Sequence, residues 1–138
     1  AACCIFNNTI YFNFQTVVNF EPAIKDGIRK AMTDCSKKES DVTDLIQMMT
    51  DGSFKEDKEF KAFMYCVYKN SGYSNPDTGR VKIDEASSVF PDPGLMKKML
   101  TDCDKEATMN PVDPVETTFI TFKCYQINAP YAVNLNTE

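Results

Sequence analysis

A chain of 138 residues, 43% of them apolar, can bury one modest hydrophobic core and is too short for several domains. Its net charge of −5 argues against a nucleic-acid partner, since such binding depends on clustered lysine and arginine side chains. The chain contains no histidine, which excludes Ser-His-Asp and Cys-His catalysis and most catalytic zinc sites, so we predict neither an enzyme nor a metal or cofactor site.

Residues 1–19 form an N-terminal arm that differs from the rest of the chain. Ile10, Phe12 and Phe14 alternate with more polar residues, and this period near two indicates an extended segment or an irregular arm packed over the body. Asn7 begins a glycosylation sequon and is a candidate modification site at the surface. The first residues lack a basic group before an apolar run, so they do not form an intact signal peptide and fit the stub left after one is removed.

Six amphipathic helices are predicted after the arm. In the first, Phe20, Ile24 and Ile28 recur every four residues and form one apolar stripe. We expect the all-α domain to cover residues 20–127 and a tail to cover residues 128–138. No segment approaches the roughly 18 apolar residues that a membrane span requires. The helices are expected at about residues 21–37, 42–49, 57–70, 83–89, 93–107 and 114–127.

Two of these helices carry features that bear on the fold. The second is expected to begin at Val42, behind a cap formed by Ser40 or Asp41. The apolar residues of the sixth wrap around more than one face, which is typical of a helix at the buried centre of a domain.

Four cysteines, Cys35, Cys66, Cys103 and Cys124, lie within or at the end of predicted helices. They are too far apart for zinc fingers or knuckles, whose cysteine pairs lie about two to four residues apart. Their spacing suits disulfides that join distant helices, and disulfides imply an oxidising compartment. We therefore expect a secreted, extracellular protein in which stapled helices surround a binding site.

Several local strings resemble the insect-type odorant-binding proteins of arthropods, over about residues 20–130. The resemblance implies a compact six-helix, disulfide-stapled domain that encloses an apolar cavity. The strings are Met32-Thr-Asp-Cys35, Val42-Thr-Asp-Leu45, Lys61-Ala-Phe-Met-Tyr-Cys66, Asp77-Thr-Gly-Arg-Val-Lys-Ile-Asp84 and Asp113-Pro-Val-Glu-Thr-Thr-Phe-Ile-Thr-Phe-Lys-Cys-Tyr125.

Two positions depart from the family pattern together. Ala62 and Val115 stand where the family usually has two cysteines that pair with each other. Their joint loss resembles the reduced-cysteine, or C-minus, branch of the family. By the same resemblance the remaining bridges are expected to join Cys35 to Cys66 and Cys103 to Cys124. Without the third bridge, the second and sixth helices should shift more easily.

Cys3 and Cys4 fall outside the family pattern. They can bond to each other or to nearby cysteines and tie down the arm, they can pair with a second chain, or they can remain free thiols. The expected state is a monomer or weak dimer, with a covalent dimer through Cys3 or Cys4 as an open alternative.

Phenylalanine and methionine concentrate on the predicted helical faces, where they can form a core or line a pocket. Methionine adapts to varied apolar shapes, and phenylalanine gives a large flat contact area. Tyrosine hydroxyls could orient a ligand, and the tail could fold back as a lid at Tyr131, Val133 and Leu135 or remain free. The predicted ligand-binding residues are Met48, Met49, Phe63, Met64, Phe90, Met96, Met99, Phe119, Phe122 and Tyr125.

The function predicted from these features is that of a secreted carrier, active in chemosensory or olfactory transport. It would bind small hydrophobic ligands such as odorants, pheromones or fatty-acid-like molecules in an internal cavity, without catalysis. The alternative is an interaction or structural protein of hemolymph, saliva or another secretion that has kept the fold and lost most of the cavity. Because the chain lacks histidine, any pH-driven release would depend on carboxylates.

Overall fold

The computed structural model describes residues 3–6, 9–12 and 16–137, the first two ranges as backbone only. Six helices follow one another and confirm the predicted all-α, six-helix fold. The helices are α1 (Pro22–Cys35), α2 (Glu39–Asp51), α3 (Lys58–Asn70), α4 (Ile83–Ser87), α5 (Pro93–Thr108) and α6 (Pro114–Asn128).

Three of the helices begin at an aspartate that caps the exposed backbone amides of the first turn. The Asp57 carboxylate accepts from the Phe60 N–H at 2.9 Å and starts α3. Asp92 and Asp113 do the same for α5 and α6, at 3.0 Å and 2.9 Å, and each is followed by a proline at the first helical position. Each such cap contributes about 1 kcal/mol to stability, so local residues determine where these three helices begin.

The predicted start of α2 is wrong. The helix begins three residues earlier than Val42, because the Asp41 carboxylate accepts the backbone N–H groups of Lys37 at 2.9 Å and Lys38 at 3.0 Å. Asp41 therefore lies inside the first turn and reaches back to the chain before it, as in a capping box. The helix ends at Asp51, and the next residue, Gly52, caps it with a φ of 78°, a left-handed conformation that suits glycine.

In the described residues, four short strands accompany the helices and lie toward the two ends of the chain. β1 (Cys3–Phe6) and β2 (Thr9–Phe12) pair antiparallel. β3 (Thr16–Val18) pairs in parallel with β4 (Tyr131–Val133), and the Asn134 N–H donates to the Val18 carbonyl at 2.9 Å just beyond them. The end of the arm and the start of the tail are thus joined side by side.

The main core lies between α6 and the helices α1, α2 and α3, and α5 packs on α6 through a second, smaller cluster. Phe122 is fully buried and Phe119 nearly so, which confirms that α6 is the buried centre of the domain. Gln126 is also buried, and its amide donates to the carbonyls of Met48 at 2.8 Å and Ser53 at 2.6 Å. This side chain fixes the end of α2 against α6.

Two disulfides join helices that are distant in sequence, as the resemblance implied. Cys35 pairs with Cys66 and links α1 to α3, with a Cα–Cα distance of 5.8 Å. Cys103 pairs with Cys124 and links α5 to α6, with a Cα–Cα distance of 5.6 Å. Ala62 on α3 and Val115 on α6, the two positions that lack cysteine, lie next to Lys61 and Glu116. These two neighbours form an ion pair, with 2.8 Å between Lys61 Nζ and Glu116 Oε1.

Some predictions concern residues beyond the described part of the chain. Asn7 and the side chains of Cys3 and Cys4 lie outside it, so glycosylation and covalent dimerisation stay predictions. Among the described residues, no helix combines the length and hydropathy that a membrane span requires. The same residues contain no group of three or more Cys, Asp or Glu side chains placed to hold a metal ion.

A candidate ligand cavity between the helices

A cavity of about 110 Å³ lies between the helices and the C-terminal tail. All six helices contribute to its wall, together with the loop that follows α3 and the residues that follow α4. The lining residues are Phe20, Ile28, Leu45, Met49, Met64, Val67, Tyr68, Ser71, Tyr73, Val81, Ala86, Val89, Phe90, Leu100, Tyr125 and Leu135.

The wall of the cavity is almost entirely apolar. None of the described lining residues carries a charge, and their polar side-chain groups are the hydroxyls of Tyr68, Ser71, Tyr73 and Tyr125. The Ser71 hydroxyl already donates to the Val67 carbonyl within the end of α3. A surface of this kind favours an apolar ligand with few polar groups, because burying an unpaired charge there would be costly.

Phe90 connects three sides of the cavity through its ring. It meets Phe20 edge to face at 5.3 Å between ring centroids, and it stacks on Tyr131 at 5.6 Å with an interplanar angle of 19°. It also approaches the Tyr125 ring at 6.2 Å. Such aromatic pairs are each worth about 0.5–1.5 kcal/mol beyond their buried area, so this group forms a firm apolar wall.

The Tyr125 hydroxyl stands out chemically within this wall. The residue is only 6% exposed, and its hydroxyl has no hydrogen-bond partner among the described residues. Burial raises the pKa of Tyr125 far above the ordinary value, and the nearby Tyr68 hydroxyl raises it further. Burial raises the pKa of Tyr68 as well. Both hydroxyls therefore stay protonated at every physiological pH.

These two tyrosines make the fold sensitive to alkali. Since burial raises the pKa of both hydroxyls, they ionise in the unfolded chain near pH 10.0 while they remain neutral in the folded one. Their contribution to stability is constant below that pH and falls by about 1.4 kcal/mol per pH unit for each tyrosine above it. We expect the free energy of unfolding, measured with urea from pH 8 to 11, to show this fall. The fall should be smaller in a Tyr68→Phe/Tyr125→Phe variant. An equal fall in both proteins would contradict the assignment.

The structure brings together four of the ten residues predicted to bind ligand. Met49, Met64, Phe90 and Tyr125 line the cavity. The other six pack in the two core clusters: Met48, Phe63, Phe119 and Phe122 in the main one, and Met96 and Met99 in the one beneath α5. That any of these residues contacts a ligand stays a prediction.

Several lining residues were predicted only as helix stripe or tail positions. Phe20, Ile28, Leu45, Val67 and Leu100 belong to the apolar stripes, a signal that does not separate cavity from core. Ala86 and Val81 lie in the short α4 and the loop before it, where the sequence carries no periodic signal. The lining was therefore only partly readable from the sequence.

The C-terminal tail closes one side of the cavity. Leu135 is 2% exposed and belongs to the lining, so the tail folds back over the body. The Arg29 guanidinium donates to the Leu135 carbonyl, and Lys25 Nζ donates to the Asn136 carbonyl at 3.1 Å. Two cationic side chains of α1 thus hold the tail by hydrogen bonds to its backbone. Of the two alternatives for the tail, residues 131–135 correspond to the lid and not to a free tail.

The family model of the PBP/GOBP family matches residues 18–128, which include all six helices and both disulfides. No curated protein and no solved structure shows a significant match to the chain. The matched family is one of secreted binding proteins for small hydrophobic molecules. The match does not test assignment to the reduced-cysteine branch, which stays a prediction. The chain belongs to the PBP/GOBP family, the insect odorant-binding proteins.

Proposed function

We propose that this protein is a secreted carrier that takes one small hydrophobic molecule into the cavity and releases it unchanged. The observation that supports this most is the cavity wall, which draws side chains from all six helices and includes no charged residue among those that the structure describes. Transfer of an apolar molecule from water into such a space gains roughly 25 cal/mol per Å² of buried apolar surface. The wall offers no pair of groups suited to acid-base or nucleophilic chemistry, so we propose binding without catalysis.

The size of the cavity favours a compact ligand. An engineered apolar cavity of about 150 Å³ holds one benzene molecule, and this cavity measures about 110 Å³ without a ligand. Met49 and Met64 lie in its wall, and methionine side chains adjust their shape at low cost. We therefore propose a ligand with one ring or a short chain, such as a volatile odorant, in preference to a long fatty acid.

Access to the cavity is proposed to run past the tail. Leu135 covers the cavity, and the tail is held there by the parallel pairing of β3 with β4 and by two hydrogen bonds from α1. Val133 and Leu135 are also buried in the main core, but the tail contains no cysteine, and terminal segments open more readily than helices that are packed and cross-linked. Release then requires separation of the tail, with the six-helix body left in place.

The proposal predicts that filling the cavity weakens binding. Ala86→Phe places a ring in the cavity from α4, so the affinity for toluene should fall by at least about tenfold, which corresponds to 1.4 kcal/mol. Calorimetric titration and native mass spectrometry of purified, delipidated protein would measure this loss. Thermal unfolding of each variant checks that the fold persists.

The matched control is Ala23→Phe, which adds the same ring to an exposed position on α1. This variant should bind toluene as the wild type does. A wild-type protein that binds no apolar molecule at millimolar concentration, or an Ala86→Phe variant that binds as well as the wild type, would sink the carrier proposal.

A further inference from the structure

We propose that the cavity selects uncharged molecules that carry a hydrogen-bond acceptor, and that the Tyr125 hydroxyl donates to it. This inference rests on the proposed function and names the ligand class for the same cavity. Tyr125 would then determine specificity within a wall whose described residues are all uncharged.

The first step is the unpaired state of this hydroxyl. Among the described residues, only two buried side-chain polar atoms lack a hydrogen-bond partner, Thr121 Oγ1 and the Tyr125 hydroxyl. Thr121 lies one turn earlier on α6 and does not line the cavity, whereas Tyr125 does. Buried polar groups without a partner are rare in folded proteins, and each calls for an explanation. Of the two, only the Tyr125 hydroxyl belongs to a residue of the cavity wall, so it is the one that a ligand atom from the cavity can satisfy.

The second step is the direction of the hydrogen bond, that is, whether the Tyr125 hydroxyl donates or accepts. A phenol is a better donor than acceptor, because its oxygen lone pair is partly delocalised into the ring. Burial keeps the Tyr125 hydroxyl protonated, with a raised pKa, so the donor is always present. A ligand carbonyl, ester or ether oxygen is therefore the best match.

The third step excludes an anionic ligand. Within the part of the chain that the structure describes, no lysine or arginine lines the cavity. The nearest cations named on the tail side, Lys25 and Arg29, are already engaged by the carbonyls of Asn136 and Leu135. A carboxylate placed in the cavity would lose its hydration and gain no opposite charge, which is costly in an apolar space. Fatty acids in their ionised form should bind poorly for this reason.

The fourth step is the shape of the space beside the donor. The Phe90 and Tyr125 rings lie 6.2 Å apart between centroids with an interplanar angle of 43°, and Phe20 meets Phe90 edge to face. Flat rings favour offset or edge-to-face contacts with further rings at about 4.5–7 Å. A single-ring ketone, with its oxygen toward Tyr125, combines both kinds of contact.

Three ligands of the same shape separate these contributions. Acetophenone, α-methylstyrene and benzoate each carry a planar group of three heavy atoms on a phenyl ring. This group is a neutral hydrogen-bond acceptor in acetophenone, a hydrocarbon in α-methylstyrene and an anion in benzoate. We expect Tyr125→Phe to weaken acetophenone binding by about tenfold. It should leave α-methylstyrene binding within about twofold, because the hydrocarbon never used the hydroxyl. Wild-type protein should bind benzoate at least about tenfold more weakly than acetophenone, because the ion is desolvated.

The control substitution is Tyr65→Phe. The Tyr65 hydroxyl donates to the Pro76 carbonyl, and Tyr65 does not line the cavity, so this variant should leave the affinity for all three ligands unchanged. Affinities are measured by calorimetry on the full chain, and the deciding quantity is the ratio of variant to wild-type affinity for each ligand. Because each ratio compares two proteins with the same ligand, differences between the ligands in hydration free energy cancel.

The outcomes separate this inference from the proposed function. If Tyr125→Phe changes acetophenone and α-methylstyrene affinity by the same factor, or if benzoate binds as tightly as acetophenone, the inference is wrong while the carrier function stands. If the wild type binds none of the three, both are wrong. A loss confined to acetophenone, absent in Tyr65→Phe, supports the inference.

Discussion

Replacing Gly79 by alanine should destabilise the fold by about 3–5 kcal/mol, a large part of the stability of a typical domain. A Cβ at this position would lie 2.1 Å from the Pro114 carbonyl oxygen, and φ at Gly79 is +75°, where residues with a Cβ are strained. A hydrogen bond also joins this loop to α6, since Thr118 Oγ1 donates to the Gly79 carbonyl at 3.0 Å. Inserting a methyl group must therefore push the loop away from the start of α6.

Gly72 provides the matched control for this prediction. Its φ is +84°, but a Cβ there would meet nothing within 4 Å. Gly72→Ala should cost only the conformational strain, about 1–2 kcal/mol. Urea unfolding of both variants isolates the steric contribution as their difference. Equal losses at the two positions would show that the loop does not press on α6 as described.

The second large effect is expected from the disulfides. Replacing Cys103 and Cys124 together by alanine should lower the free energy of unfolding by about 3 kcal/mol, because the bridge closes a loop of 21 residues in the unfolded chain. The Cys35 and Cys66 pair closes a longer loop, of 31 residues, and its removal should cost slightly more. Chemical denaturation of each double variant, without reductant, measures the two losses.

Thiol exchange has to be excluded from this comparison. The parent chain should carry Cys3→Ser and Cys4→Ser, so that the described bridges are its only cysteines. Adding reductant to this parent should lower its stability by at least the larger of the two single-bridge losses. A double variant as stable as the parent would mean that its bridge does not constrain the unfolded chain, contrary to the chain-entropy reasoning.

Local features of the sequence were enough to predict the helices and their order. Asp57, Asp92 and Asp113 start three helices by capping them, and these positions can be recognised from the residue type and the apolar run that follows. The start of α2 was misplaced because an aspartate can serve either as the cap or as the third residue of a capping box, as Asp41 does. The disulfide pairing came from the family resemblance, since four cysteines allow three pairings.

The cavity was harder to predict because periodicity identifies a buried face without showing what that face touches. Met48 and Met49 are neighbours on α2, yet Met48 packs in the core while Met49 lines the cavity. On α6, Phe122 is part of the core and Tyr125, almost one turn later, faces the cavity. Whether a buried side chain meets another side chain or an empty space depends on the tertiary packing of several helices.

The sequence allowed a tail that covers the body at Leu135 or one that remains free, and it did not decide between them. The covered position depends on parallel pairing between residues 16–18 and 131–133, which lie at opposite ends of the chain. Alternating apolar residues in the tail were compatible with a strand, but nothing in the sequence specified its partner. The lid is therefore a property of the assembled fold.

The most direct test of the carrier function is a crystal structure of the protein grown with bromobenzene, whose bromine can be located by its anomalous signal. We expect one bromine site inside the cavity, in contact with Met64, Val67 and Phe90, with Leu135 still covering it. A cavity that stays empty while bromobenzene occupies only surface sites, or no site at all, would contradict a carrier function for this cavity.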